Sequence, residues 1–264
     1  MKTDYTTLIV NITGAIAEIV LNQPDTRNAV SHAMHAELTE AFLAVRKQPD
    51  VRAIVFAANG KIFSAGGDFN LILADCGQPE RRLEMVDNAR ALFLAVADCP
   101  IPVVAALQGE AVGLATTLVL GCDAIVAAKT ARLSDPHVVI GLVAGDGGCV
   151  LWPQAVGLLR AKRYLLTGDR LTAAEAHAMG LVTDLVETPE QVRDAARALA
   201  ERIAALPPLA VQLTKRALNQ GLRHRMEEVF DQAIHYEFDT FLSADVPEAI
   251  AAMRERRPGQ YKSR

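Results

Sequence analysis

"PIPVVAALQGEAVGLATTLVLGCDAIVAAK", residues 100–129, decides the fold class. "IPVVAALQG" (101–109) is a short apolar run closed by a glycine, the pattern of a buried strand. Residues 113–121 are small and apolar and read as a helix, and "DAIVAAK" (123–129) returns to a strand. Strand, helix and strand in such close succession require a sheet covered by helices, an α/β architecture.

The same alternation extends outward. "TLIVNITGAIAEIVLN" (7–22) alternates apolar and polar residues around Thr13-Gly14 and predicts a β-hairpin. Ser31 caps a predicted helix with Met34, Leu38, Phe42 and Val45 on one face. "VRAIVFAA" (51–58) is a buried strand, and residues 79–99 form a helix whose first turn accommodates Pro79. Thr172 and Glu175 make a capping box for a helix that closes at Gly180 and leads into a strand. Thr188 starts another capped helix, with Val192, Leu199, Ile203 and Leu206 facing inward. From residue 208 onward the pattern is helical. The spacing divides the chain at Pro207-Pro208 into a core, 1–207, and a C-terminal helical module, 208–264.

The 264 residues carry a net charge of −4, with 51% hydrophobic and 22% charged residues, which suits a globular protein rather than a nucleic-acid binder. No apolar run reaches the roughly 18 residues of a membrane-spanning helix, and the N-terminal segment lacks the pattern of a signal peptide. Cys76, Cys99, Cys122 and Cys149 follow no disulfide or metal spacing. Reduced thiols and a cytoplasmic location are expected. The basic end, with Arg254, Arg256, Arg257, Lys262 and Arg264, reads as a solvated tail or a contact for an anionic ligand.

Nucleotide motifs are absent: neither G-x-G-x-x-G after a strand nor a P-loop occurs. His32 and His35 have no evident third ligand, so they read as surface or packing residues and no metal is expected. "IFSAGG" nearly matches a nucleophile elbow, with Ile62 in place of the first glycine, which leaves Ser64 a weak nucleophile candidate. Two other loops carry more weight. "GKIFSAGGDFN" (60–70) and "QGEAVGLATTLVLGCD" (108–123) each place small residues just past a strand and before a helix. There a ligand can approach the backbone, and free N–H groups can hold an oxyanion.

With "LNQPDTRNAVS" (21–31), "VRAIVFAANGKIFSAGGDF" (51–69), "GLVAGDGG" (141–148) and "LTGDRLTAAEAHAMGLV" (166–182), these loops make the chain resemble the crotonase superfamily, the enoyl-CoA hydratase/isomerase family. The resemblance covers nearly the whole chain. It implies a spiral of ββα turns with a C-terminal trimerisation module, and a homotrimer or hexamer formed as a dimer of trimers. It implies an acyl-CoA thioester as substrate, with coenzyme A part of that substrate and no separate cofactor. It places the oxyanion hole at the backbone N–H groups of Ala65 and Leu114, where Leu114 replaces a glycine common in the family. It assigns substrate or CoA contacts to Arg27, Lys61, Ser64, Gly66, Gly67, Asp68 and Gly113, and more weakly to Arg256 or Arg257. The helix at 79–99 is expected to line the acyl pocket.

A hydratase of this family uses two glutamates. Alignment puts Thr117 and His137 in their places. Thr117 cannot act as a base at neutral pH. His137 offers an acid, a base or a hydrogen-bonded structural histidine. Asp146, in a glycine-flanked turn, offers a proton carrier for a carbon beside the thioester, or a carboxylate capping turn N–H groups. In an apolar acyl pocket its pKa would be raised. Glu110 is an alternative acid whose spacing points it elsewhere. Three readings follow: a lyase or isomerase of acyl-CoA thioesters, a thioester hydrolase or decarboxylase on the same scaffold, and a non-catalytic acyl-CoA-binding trimer.

Overall fold

A computed structural model describes residues 4–262, so Arg264 lies outside the described residues. The predicted hairpin forms from β1 (Leu8–Thr13) and β2 (Ile16–Leu21), paired antiparallel. The main sheet continues in parallel through β3 (Ala53–Ala58), β4 (Val103–Leu107), β6 (Ala124–Ala128) and β9 (Asp184–Val186), in the order β1-β2-β3-β4-β6-β9. Its central strands are buried along almost their full length, as continuous apolar runs require.

A second, smaller sheet was not foreseen: β5 (Glu110–Val112), β7 (Arg132–Ser134) and β8 (Leu171–Thr172). Isolated bridges extend its edge, pairing Ser64 with Ala111 and Val30 with Gly67. In the middle of the chain, successive turns give one strand to the large sheet and one short strand to the small sheet before the next helix. β4, β5 and α4 (Leu114–Leu120) show the pattern, followed by β6 and β7. This is the expected spiral of ββα turns.

The helices follow their local signals. Ser31 caps α1 (His32–Val45) by accepting the Met34 N–H at 3.2 Å, and Met34, Leu38, Phe42 and Val45 are all buried. Phe42, Phe56 and Phe63 stack edge to face, with ring centroids 5.5 and 5.2 Å apart, and tie α1 to the sheet. Asp68 caps a short helix absent from the sequence expectations, α2 (Phe69–Asp75), through the Asn70 N–H. The helix expected over 79–99 is a 3₁₀ turn, Pro79–Arg81, followed by α3 (Arg82–Ala97). Further on lie α5 (Gly148–Val156), α6 (Leu158–Leu165) and α7 (Ala173–Met179), the last with its Thr172–Glu175 capping box formed. α8 (Pro189–Ala204) packs on the main sheet and buries Val192, but Leu206 is exposed, contrary to expectation, because it lies two residues beyond the end of the helix.

The C-terminal segment consists of α9 (Pro208–Arg225), a π turn at Met226–Phe230, α10 (Asp231–Phe241) and α11 (Asp245–Glu255). It shares one apolar cluster with the core, in which Phe230, Ile234 and Ile250 pack with Phe93 of α3 and Leu151 of α5. Lys215 of α9 is buried, and its ammonium donates to the Ile101 carbonyl at 3.1 Å and to Asp123 at 2.5 Å. The basic end is no free tail. Arg257 pairs with Glu248, and the Gln260 and Lys262 amides donate to Glu248 and Asp245.

Candidate active site

A cavity of about 1340 Å³ is bounded by the small sheet and by α1, α2, α3 and α10. Its lining falls into three parts: a backbone wall from the 65–68 and 112–114 loops, an ionisable wall, and an apolar end. The apolar end includes Met85 and Ala89 of α3, as expected of the 79–99 helix. Phe69 and Ile72 of α2 and Phe238 and Phe241 of α10 contribute as well.

The backbone wall is held by short hydrogen bonds. Ser64 donates its hydroxyl to the Asn28 carbonyl at 2.6 Å and accepts the Gly66 N–H at 3.1 Å. Fully buried and outside the cavity lining, Ser64 shapes the loop; the structure gives it neither a nucleophile's position nor a ligand contact. Asn28 is likewise buried, with its amide donating to the carbonyls of Asn59 and Phe63. Gly66 has φ +82°, and a Cβ there would lie 2.5 Å from the Val112 carbonyl oxygen. The two loops therefore touch backbone to backbone, which only glycine permits.

The expected donor Ala65 is corrected by this geometry. Its N–H donates to the Arg27 carbonyl at 3.0 Å and is spent inside the loop. Two residues on, the bridge to Val30 uses the Gly66 carbonyl and the Asp68 N–H. In a parallel bridge the residue between them turns its own N–H to the other side. That residue, Gly67, lines the cavity, and its N–H has no acceptor among the described residues. Leu114 begins α4, so its N–H has no acceptor within the helix. Thr116 fixes that helix start by donating to the Ala111 and Ser134 carbonyls, both at 2.8 Å. Among the described residues, Gly67 and Leu114 therefore each present a cavity-lining N–H without a backbone acceptor, as an oxyanion site requires.

Arg27, Gly66, Asp68 and Gly113 also line the cavity, whereas Lys61 is exposed and outside it. Arg256 and Arg257, just past the end of α11, also lie outside, although Met253 within that helix lines the cavity. Glu110 lines the cavity but is paired with Arg170 at 3.2 Å. His32 is half exposed and 3.3 Å from Asp75, while burial and the neighbouring His32 push His35 down to about 4. Among the described residues no cluster of three metal-ligating side chains occurs.

The ionisable wall is assembled around His137, in a 3₁₀ turn (His137–Ile140) that follows β7. Its Nδ1 lies 2.5 Å from Asp135 Oδ1, and its Nε2 lies 3.6 Å from Asp146 Oδ2. Burial alone would lower the imidazole pKa; the Asp135 and Asp146 carboxylates outweigh it and hold His137 well above its ordinary value. Asp146 accepts the Thr117 hydroxyl at 3.0 Å on its other oxygen. Burial raises the Asp146 carboxyl, with the charge on His137 opposing. The residue missed from sequence is Glu237 of α10, which also lines the cavity. Burial, then the Asp146 charge, pushes it up to about 8. Asp135 and Thr117 stand behind His137 and Asp146, outside the cavity lining. The wall thus presents one imidazolium and two raised carboxyls to a bound molecule.

A site that pairs free backbone N–H donors with buried ionisable side chains suits the chemistry of a thioester enolate. The family model for enoyl-CoA hydratase/isomerase matches residues 11–264. The chain belongs to the enoyl-CoA hydratase/isomerase family. It is an acyl-CoA thioester enzyme of the hydratase/isomerase type. A probable enoyl-CoA hydratase of Rhizobium meliloti is 33% identical, covering 98% of this chain and 99% of that protein. The 1,2-epoxyphenylacetyl-CoA isomerase of Escherichia coli K12 is 29% identical, with 96% and 97% covered. A solved enoyl-CoA hydratase/isomerase from Mycobacterium paratuberculosis superposes with a TM-score of 0.88 at 38% identity, covering 93% of this chain and 98% of that one.

Proposed function

We propose that this enzyme moves a proton between carbons of an enoyl-CoA thioester, shifting its double bond, with Asp146 as the proton carrier. The observation that carries this is the Asp146 carboxylate itself. It faces the cavity with one oxygen fixed by Thr117 and the other beside His137 Nε2. Asp146 takes a proton from the carbon next to the thioester of a 3-enoyl chain. The electron pair moves onto the thioester oxygen, where the Gly67 and Leu114 N–H groups stabilise the dienolate. The protonated Asp146 returns the proton at the far carbon, so the atoms balance with no water, metal or redox partner. His137 remains an imidazolium, oriented by Asp135, and offsets the charge on Asp146.

Hydration is disfavoured by Thr117. Adding water calls for one group to activate water and another to deliver a proton. Thr117 occupies one of those places and spends its hydroxyl on Asp146.

Arg27 and Asp68, at the cavity rim, are the proposed contacts for the CoA moiety. The exposed Leu158, Leu159 and Leu166 on and after α6 support assembly into a trimer or a dimer of trimers. Four unpaired cysteines support a reducing, cytoplasmic setting.

The test is conversion of 3-enoyl-CoA to 2-enoyl-CoA in deuterated solvent, beside water addition to crotonyl-CoA. Double-bond shift with deuterium entering the chain, both lost in Asp146→Asn while CoA-ester binding persists, is expected. Unchanged turnover in that variant, or hydration faster than the shift, overturns the proposal.

A further inference from the structure

Where the ionisable wall meets the apolar end of the cavity, one group is left unsatisfied by a plain alkyl chain. Glu237 is 6% exposed and sits on α10 between the acid–base wall and the aromatic rings of Phe238 and Phe241. Its carboxyl accepts the Gly145 N–H, while Oε2 has no partner among the described residues. The position is fixed by close backbone packing: a Cβ on Gly145 would lie 2.3 Å from the Ala233 carbonyl oxygen and 2.8 Å from the Glu237 Cβ. The Glu237 Cβ is therefore held against the loop that carries Asp146.

A buried oxygen without a partner costs about 1–3 kcal/mol. An alkyl chain laid against it would keep that cost and also exclude water. We propose that Glu237 is a specificity-determining residue that binds an oxygen on the acyl chain beyond the reacting carbons. The substrates of this enzyme are then acyl-CoA thioesters bearing a carbonyl or hydroxyl group on the chain, rather than simple fatty enoyl-CoAs. With its pKa pushed up to about 8 by burial, the carboxyl is largely protonated at neutral pH and donates the hydrogen bond that a carbonyl accepts. A hydroxyl is served equally, since it both donates and accepts. The role rests on the acyl-CoA reading of the cavity but not on which group carries the proton.

Binding of saturated, unreactive acyl-CoA pairs to the full-length protein tests it apart from the reaction. Each pair has the same chain length, with and without a keto or hydroxyl group beyond the third carbon. The wild type is expected to hold the oxygenated partner about tenfold tighter. Glu237→Gln keeps a donor and should keep most of that preference. Glu237→Leu should reverse it, binding the alkyl chain better. Thermal melts of both variants check that they fold. Equal binding of the pair by the wild type, or an unchanged preference in Glu237→Leu, overturns the assignment. If neither ester binds at all, the acyl-CoA reading of the cavity fails and this assignment fails with it. Loss of proton exchange in Asp146→Asn bears only on the catalytic step.

Discussion

The two working walls of the cavity are built from different materials. One is backbone: the Gly67 and Leu114 N–H groups, set by loops that touch at Gly66 and Val112. The other is side chains: His137 and Asp146 from one glycine-rich stretch, and Glu237 from α10. Backbone donors do not titrate and survive a change of side chain, which is why Leu114 can stand where the family commonly has glycine. Side-chain acids can be exchanged one at a time, each exchange altering the chemistry. On the proposed mechanism, the capacity to hold a thioester enolate resides on the first wall and the choice of reaction on the second.

The largest effect should come from the second wall. Asp146→Asn is expected to lower kcat for the double-bond shift by roughly 100- to 10,000-fold, with KM little changed, as steady-state kinetics would show. Breaking the first wall should look different. Gly66→Ala forces a Cβ against the Val112 oxygen at φ +82°, costing about 1–3 kcal/mol of stability. Displacement of the neighbouring donor should lower kcat/KM by up to about 100-fold. Because no titrating group is touched, its pH profile should keep the wild-type shape; a shifted profile would mean the walls are not independent.

A smaller effect is expected from Thr117→Val, which removes one hydrogen bond to Asp146. Activity should fall about 3- to 10-fold. The lost bond favoured the charged carboxylate, so the limb of the pH–rate profile that reports Asp146 should move to higher pH. The last effect is on stability rather than on turnover. Glu237 binds a proton in the folded state, up to about pH 8, that the unfolded chain releases near 4.5. It therefore contributes stability that is present at low pH and lost as pH rises toward 8. Relative to Glu237→Gln, the wild type should lose at most about 1.4 kcal/mol per pH unit across that window. Chemical denaturation at a series of pH values would measure the difference.

The backbone wall was largely legible in the sequence, because its signals are local. A strand, a run of glycine and alanine, and a helix start mark each loop, and the Ser31 and Thr172 caps mark the helices around them. Reading the loops only to the nearest residue put the donor at Ala65; the bridge between Val30 and Gly67, which depends on a distant segment, decides it. The small sheet escaped notice because strands of two or three residues carry no periodicity. The ionisable wall was half legible. His137 and Asp146 stand out as the ionisable residues of a glycine-rich stretch, but Asp135 as the partner of His137 is a matter of side-chain direction. Glu237 has no local mark at all. It is an ordinary glutamate on an amphipathic helix until packing buries it beside Asp146.

Lys215 gives the C-terminal helices a further meaning. Its ammonium neutralises Asp123, whose carboxylate also accepts the Val103 N–H at the start of β4. Helices grafted from a relative without this lysine would leave that carboxylate uncompensated at the strand ends of β4 and β6, inside the main sheet. The same segment carries Glu237. Anchor and selector therefore travel together on one stretch of chain, so recombination that exchanges this segment replaces the chain-reading residue and the means of attaching it in a single event.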